Sequence, residues 1–313
     1  MIQELNLKGS TAILVFGFNR PGHLQRLLDS LKANLGVDQF PLIVRIDGPR
    51  TDADREDVEA AISVAKTHLP LPEILVQTQN LGLARSVSEG VTATLLNYEQ
   101  VIVLEDDLEL SPHFLRFMVE GLERFKSDHR VASIHGYSIA LRHANDPAYF
   151  LRGADCWGWA TWRRSWETYN PDAAELYKVV LNRGLQKEFT FGGVSPHLEL
   201  LLAAAEGTVD SWAIRWHASA FLDGKLTLYP SVSLVRNGGM DGSGTHSGTT
   251  GIYDSPLSKE PVELSSVAVK VSENAFRQHN IFYRKRRNKK KSMRLFRAAA
   301  DGPYRIYRSF FRP

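Results

Sequence analysis

Residues Val101-Ile102-Val103-Leu104 run straight into three consecutive carboxylates, Glu105-Asp106-Asp107. The apolar run is short and β-branched, the pattern of a strand buried on both faces of a parallel sheet. Its acidic end then falls at the C-terminal edge of that sheet, where open α/β folds bind their ligands. Adjacent carboxylates repel one another and require a compensating cation, and hard oxygen donors suit Mn2+ or Mg2+. The plainer reading is a solvated acidic turn ahead of a helix near Ser111-Pro112.

Other polar side chains follow other apolar runs: Asn19 and Arg20 after residues 11–16, Asp47 after 42–46, and Asn80 and Arg85 after 74–77. In a parallel sheet these ends converge on one rim. Cations and carboxylates on one rim fit a ligand with a diphosphate, a metal and polar rings better than a simple hydrophobic one. Asp47-Gly48 also reads as a plain turn, and Arg20 as an exposed residue at a helix terminus.

The elements that must position these groups alternate. Strands are predicted at 11–16, 42–46, 74–77 and 101–104, with helices at 21–31, 54–68, 82–96 and 112–126 between and after them. Leu24, Leu27, Leu28 and Leu31 mark one face of the first helix, and Pro21 suits its first turn. Such alternation predicts an α/β fold with a mostly parallel sheet and right-handed crossovers. A short strand at 131–134 follows. Beyond it the order is harder to read: Trp157, Trp159, Trp162 and Trp166 crowd into ten residues, a helix is expected at 198–205, and a glycine-rich loop spans 237–251.

Phe18-Asn19-Arg20-Pro21, Ile46-Asp47-Gly48, Asn80-Leu81-Gly82-Leu83-Ala84-Arg85 and Glu105-Asp106-Asp107 occur in an order that resembles the nucleotide-sugar half of GT-A glycosyltransferases. The likeness includes family 2-like enzymes and the inverting N-acetylglucosaminyltransferase I-like enzymes of the Golgi, which share the Glu-Asp-Asp motif. Cys156-Trp157-Gly158-Trp159, Val209-Asp210-Ser211-Trp212 and Gly244-Thr245-His246-Ser247-Gly248 look like the acceptor half, so the resemblance spans about residues 11–250.

It implies roles. Asp107 would hold Mn2+ or Mg2+ at the diphosphate of a UDP-sugar; His246, in the glycine-rich loop, reads by default as a solvated histidine and otherwise as a further metal or phosphate ligand. Asp106 would face the ribose or metal waters, Glu105 the transferred sugar, Asp47 the uracil, and Arg20 the base or phosphates. Arg85 is placed on the donor by order alone. Trp157 and Trp159 would carry the acceptor, a glycan or lipid-linked sugar. Asp210 would be the catalytic base, with Glu199 in reserve and His197 an ordinary polar residue.

The chemistry agrees with these residue types. A nucleoside diphosphate leaves once its negative charge is neutralised, and an attacking hydroxyl needs a carboxylate to take its proton. In-line attack with one base inverts the anomeric centre. Asp210, between apolar neighbours, suits a partly desolvated base, although Asp210 also reads as a helix N-cap. Where the Golgi enzymes carry two acids before the tryptophan, this chain has Asp210-Ser211. They also have a membrane anchor and stem that the sequence lacks, which favours bacterial cell-surface polysaccharide or lipid-linked acceptors over N-glycans. A nucleotidyltransferase would share the sheet and metal site, but Gly17-Phe18-Asn19-Arg20 is no glycine-rich basic phosphate loop. A non-catalytic membrane-associated scaffold is the alternative from another class.

The net charge of +3 conceals an asymmetry: residues 277–313 hold 13 Lys or Arg against Asp301 alone, whereas the first 276 are net acidic. The expected organisation is a catalytic domain over 1–276, with a nucleotide-sugar half (11–135) and an acceptor half (136–276), and a basic amphipathic tail over 277–313. The tail suits an anionic membrane surface, and no nucleic-acid motif accompanies it. With one cysteine, Cys156, no intramolecular disulfide forms. Lacking a signal core or a run of roughly 18 apolar residues, the chain is expected to be cytoplasmic and peripheral on the inner face of the plasma membrane.

Overall fold

The strands begin with β1 (Thr11–Gly17), whose side chains alternate between two cores. Ile13 and Val15 join one cluster with Leu24, Leu27 and Leu28, while Leu14 and Phe16 join another with Val87, Val91 and Trp159. A strand covered on both faces gains nothing from polar alternation, which is why β1 reads as a continuous apolar run. In this computed structural model residues 10–68, 72–139, 141, 146–239 and 253–288 are described.

The remaining strands are β2 (Leu42–Ile46), β3 (Glu73–Val76), β4 (Gln100–Glu105), β5 (Leu108–Leu110), β6 (Val131–His135), β7 (Ala148–Arg152), β8 (Trp159–Trp162), β9 (Leu226–Pro230) and β10 (Val235–Asn237). Eight form one sheet in the order β3-β2-β1-β4-β8-β6-β9-β7, and β5 pairs with β10 separately. β3, β2, β1 and β4 are mutually parallel, as is β6 with β9, whereas β8 and β7 run against their neighbours. The sheet is therefore mixed but mostly parallel.

The helices are α1 (Pro21–Lys32), α2 (Arg55–His68), α3 (Leu83–Asn97), α4 (Phe114–Arg124), α5 (Arg163–Trp166), α6 (Ala173–Asn182), α7 (Gln186–Phe189), α8 (His197–Ala205) and α9 (Trp212–Leu222). α1, α2 and α4 cover one face of the sheet and α3 and α9 the other. The expected helices lie within a few residues of these bounds. α2 starts just after a turn at Asp52–Asp54, where Thr51 and Asp54 form a reciprocal capping box.

Residues 273–288 form a further helix, so the expected domain boundary after residue 276 falls inside a helix. Its Phe276 stacks on Phe191 and its buried His279 lies against the same ring. The basic residues 284–287 are thus the end of an element seated on the body, while residues 289–313 lie outside the described residues.

Four histidines, His135, His197, His217 and His279, are held below their ordinary pKa chiefly by burial, His279 at about 4 against 6.5. The unfolded chain therefore binds protons that the folded chain does not, and stability falls as pH drops through 6.5 toward 4. His279 alone accounts for about 3 kcal/mol across that window. Urea midpoints should fall steadily over this range, and a midpoint independent of pH would contradict the burial of these rings.

Candidate functional site

β1 and β4 lie side by side with Phe16 opposite Glu105, so the residues leaving β1 face those leaving β4. Arg20, just ahead of α1, pairs with Asp106 and reaches Asp107 Oδ2 at 3.3 Å. The compensating cation expected beside the acidic triplet is, in the chain itself, Arg20. It does not suffice. Burial pushes the Asp106 carboxyl up to about 7 against the pull of Arg20, with Asp107 adding to the rise. Burial, then Asp107 and Asp106, hold Glu105 well above the usual carboxylate range.

Asp107 is gripped from the other half of the chain. β10 runs antiparallel to β5, with Asn237 opposite Leu108, and the Gly238 N–H donates to the Asp107 carbonyl at 2.7 Å. A Cβ on Gly239 would lie 2.2 Å from Asp107 Oδ2, so a side chain there would displace the Asp107 carboxylate from this position. His246 lies outside the described residues. Among the described residues no three His, Cys, Asp or Glu side chains could hold a metal ion by themselves. Undercompensated carboxylates at Asp106 and Asp107 still fit a hard divalent ion that takes its other ligands from phosphates and water.

Asp47, at the end of β2, is buried and accepts from three backbone amides: Gly48 (3.0 Å), Leu81 (2.8 Å) and Gly82 (3.0 Å). Asn80 Nδ2 donates to the Gly48 carbonyl at 2.8 Å, closing the loop ahead of α3. Of about four lone-pair positions on a carboxylate, three are used. Asp47 is thus first the organiser of this turn. Arg85 is 64% exposed and pairs with Glu89 at 2.6 Å, one turn along α3, rather than with the carboxylates. Asn19 donates to Asp54 at 2.7 Å, and Arg50 joins Asp54 and lies over the Phe18 ring. Sequence reasoning passed over Arg50 and Asp54, although Thr51-x-x-Asp54 carries a capping signature.

The tryptophans divide. Trp159 is fully buried among Trp166, Trp212 and Trp216, so it cannot be a platform for an acceptor sugar. Trp157 is partly exposed, its ring set edge to face against Tyr137 (4.7 Å) and Tyr253 (5.3 Å). Gly158, at φ +63°, separates the two and turns the chain between them.

Asp210 is 69% exposed and bonded to Arg215 at 2.8 Å, so the expected apolar surroundings are absent. Ser211, not Asp210, caps α9. Trp212 stacks on Trp159, which pairs with Val103 of β4. Glu199 stands in the first turn of α8. His197 is no plain polar residue: it stacks on His217 at 4.6 Å.

Asp155 was not anticipated. It immediately precedes the Cys156-Trp157-Gly158-Trp159 motif, which is the signal that could have found it. Its Oδ1 accepts from the Cys156 amide at 2.9 Å and lies 4.0 Å from His135 Nε2. Burial, followed by Asp155, Glu105 and Asp107, pushes the Cys156 thiol up.

Residues 12–170 match the family described as Glycosyl transferase family 2. Among solved structures the chain is similar to a mannosyltransferase, PcManGT, from Pyrobaculum calidifontis in complex with GDP-Man and Mn2+ (18% identity, TM-score 0.32, covering 42% of this chain and 36% of that one). It is also similar to GalNAc-T7 with UDP, GalNAc and Mn2+ (11%, 0.44, 72% and 43%) and to S. aureus TarS 1-349 in complex with UDP-GlcNAc (13%, 0.30, 44% and 37%). The matched part spans less than half of each of those chains. No curated protein matches.

Replacing Gly48 tests the turn. An added Cβ would lie 2.7 Å from the Gln79 carbonyl carbon and 2.8 Å from the Gln77 oxygen, both backbone atoms. Gly48→Ala should cost about 1–3 kcal/mol, read as a lower urea midpoint at unchanged m-value; an unshifted midpoint would show that the turn yields freely.

Proposed function

The chain belongs to glycosyl transferase family 2, and from that premise we propose that it moves a sugar from a UDP-linked donor to a hydroxyl of a glycan or lipid-linked acceptor, with inversion and with a divalent ion at Asp107. The observation that carries the reading is the acidic end of β4, where a single guanidinium, Arg20, faces both Asp106 and Asp107. A bound divalent ion would supply the missing positive charge and neutralise the departing diphosphate as a Lewis acid.

The chain's own groups do the rest. Asp107, with Asp106 beside it, would hold that ion, and Glu105 would face the transferred sugar. Arg20 is close enough to both aspartates to shift toward a phosphate once a second cation takes its place. Asp47 keeps about one lone pair for the uracil N3–H while it holds the Gly48, Leu81 and Gly82 amides. Arg85 reaches the donor only by leaving Glu89. His246 is proposed as a further metal or phosphate ligand from its residue type and its place in the glycine-rich loop. Asp210, tethered by Arg215, is the base that the resemblance names, and release from that ion pair would free it to accept a proton.

The metal assignment is tested by calorimetry with UDP. Asp107→Ala should lose Mn2+-dependent UDP binding, and binding at the wild-type level would end this reading.

Arg284, Lys285 and Arg287 are exposed at the end of the 273–288 helix, and residues 289–313 add eight Lys or Arg. We propose that this end holds the enzyme on an anionic membrane, at about 1 kcal/mol per basic residue near the surface. No helix among the described residues is long and apolar enough to cross a bilayer. Changing Arg284, Lys285 and Arg287 to glutamine together should reduce co-sedimentation with vesicles of phosphatidylcholine and phosphatidylglycerol. Equal sedimentation of variant and wild type would remove these side chains from the contact.

A further inference from the structure

β10 lies antiparallel to β5, with Val235 opposite Leu110, Arg236 opposite Glu109 and Asn237 opposite Leu108. Arg236 Nε donates to Glu109 Oε2 at 3.0 Å across this ribbon, and at one end the Ser111 N–H donates to the Leu234 carbonyl at 2.9 Å. At the other end the chain turns. Asn237 Oδ1 accepts from the Gly239 N–H at 2.8 Å, a turn in which a side-chain oxygen takes the place of a backbone carbonyl. The same turn sets the Gly238 N–H on the Asp107 carbonyl and brings Gly239 against the Asp107 carboxylate.

Gly239 lies outside the left-handed region, so its φ does not call for glycine. What it supplies is space: a Cβ there would meet Asp107 Oδ2 at 2.2 Å and Cγ at 2.9 Å. Oδ2 is also the oxygen that Arg20 reaches at 3.3 Å. Two neighbours, one ahead of α1 and one after β10, therefore hold the same atom. Among the described residues Oδ1 accepts no hydrogen bond and makes no ion pair, and the Asp107 side chain keeps 16% of its exposure.

We propose that the Asn237-Gly238-Gly239 turn is the positioning element of the cation site: it holds Asp107 Oδ2 beside Arg20 and leaves Oδ1 as the oxygen offered to a divalent ion. A carboxylate fixed before the ion arrives loses less rotamer freedom on binding, and groups that only orient a ligand change metal affinity about 10–100-fold when removed. The family match ends at residue 170 and does not reach this turn. The inference rests on the reading that Asp107 holds a divalent ion, and it names what sets the affinity of that site.

Mn2+ binding to the full-length chain with UDP is followed by the electron paramagnetic resonance of free Mn2+, which needs no sugar and no turnover. Gly239→Ala and Asn237→Ala should each bind Mn2+ about tenfold or more weakly. Asn237→Asp keeps an acceptor for the Gly239 N–H and should recover affinity close to that of the wild type. Cooperative urea transitions with the wild-type m-value show that the variants are folded. Wild-type affinity in Gly239→Ala, or no recovery in Asn237→Asp, overturns the role of the turn. Absence of Mn2+ uptake by the wild-type chain overturns the metal reading and the turn's role with it, a result distinct from equal binding in wild type and variants.

Discussion

Glu105, Asp106 and Asp107 follow a strand whose apolar side chains have no exposure to solvent, so their charge must be balanced within the molecule. A buried carboxylate without a partner costs several kcal/mol. The partner at hand is Arg20, delivered by the parallel neighbour β1, and it serves two carboxylates with one guanidinium. Burial first, and then repulsion between the neighbouring carboxylates, raises Asp106 and Glu105 against the pull of Arg20. Much of the surrounding architecture follows from placing one cation against three anions. β1 and β4 must be adjacent and parallel, and the chain must leave β1 at once into α1, with Pro21 already in its first turn.

Asp47 solves a related problem with neutral groups. Amide N–H groups at the N-terminal end of a helix have no partners within it. Leu81 and Gly82, just ahead of α3, turn theirs onto the Asp47 carboxylate, which anchors the helix to the end of β2. A carboxylate so occupied is rigid, and its remaining acceptor position is preset in direction. Structural and recognition roles therefore need not exclude one another at this residue.

The first half of the fold was legible because its signals are local. Continuous apolar runs marked β1, β2 and β4, and the leucine spacing marked α1, since each depends on burial of both strand faces or one helix face. β7, β8, β9 and β10 were not legible: they pair across long separations, and two of them reverse the direction of a neighbour in the main sheet. The choice between Trp157 and Trp159 turned on Gly158, whose positive φ cannot be read from the residues around it. Arg85 misled because it was placed by order alone, although Glu89 stands at i+4 on the same helix and satisfies it locally. Asp210 looked desolvated by its sequence neighbours, yet Val209 and Trp212 do not decide where its own side chain points. Asp155 depended on the register of β6 against β8, which no local pattern carries.

The two halves of the chain are not independent at the site. Gly238 and Gly239 come from the end of β10, more than a hundred residues after Asp107, and they fix its carbonyl and crowd its carboxylate. The chain entering β10 is tied to the end of β6, since the Leu234 N–H donates to the Gly136 carbonyl at 2.8 Å. The matched family region ends at residue 170 and so does not contain this clamp. Its strands could bring Arg20 to the acidic triplet, but the backbone grip on Asp107 would be missing. The residue proposed to hold the metal is thus positioned by the half of the chain proposed to bind the acceptor, and distortion on the acceptor side has a direct covalent and hydrogen-bonded route to the donor side.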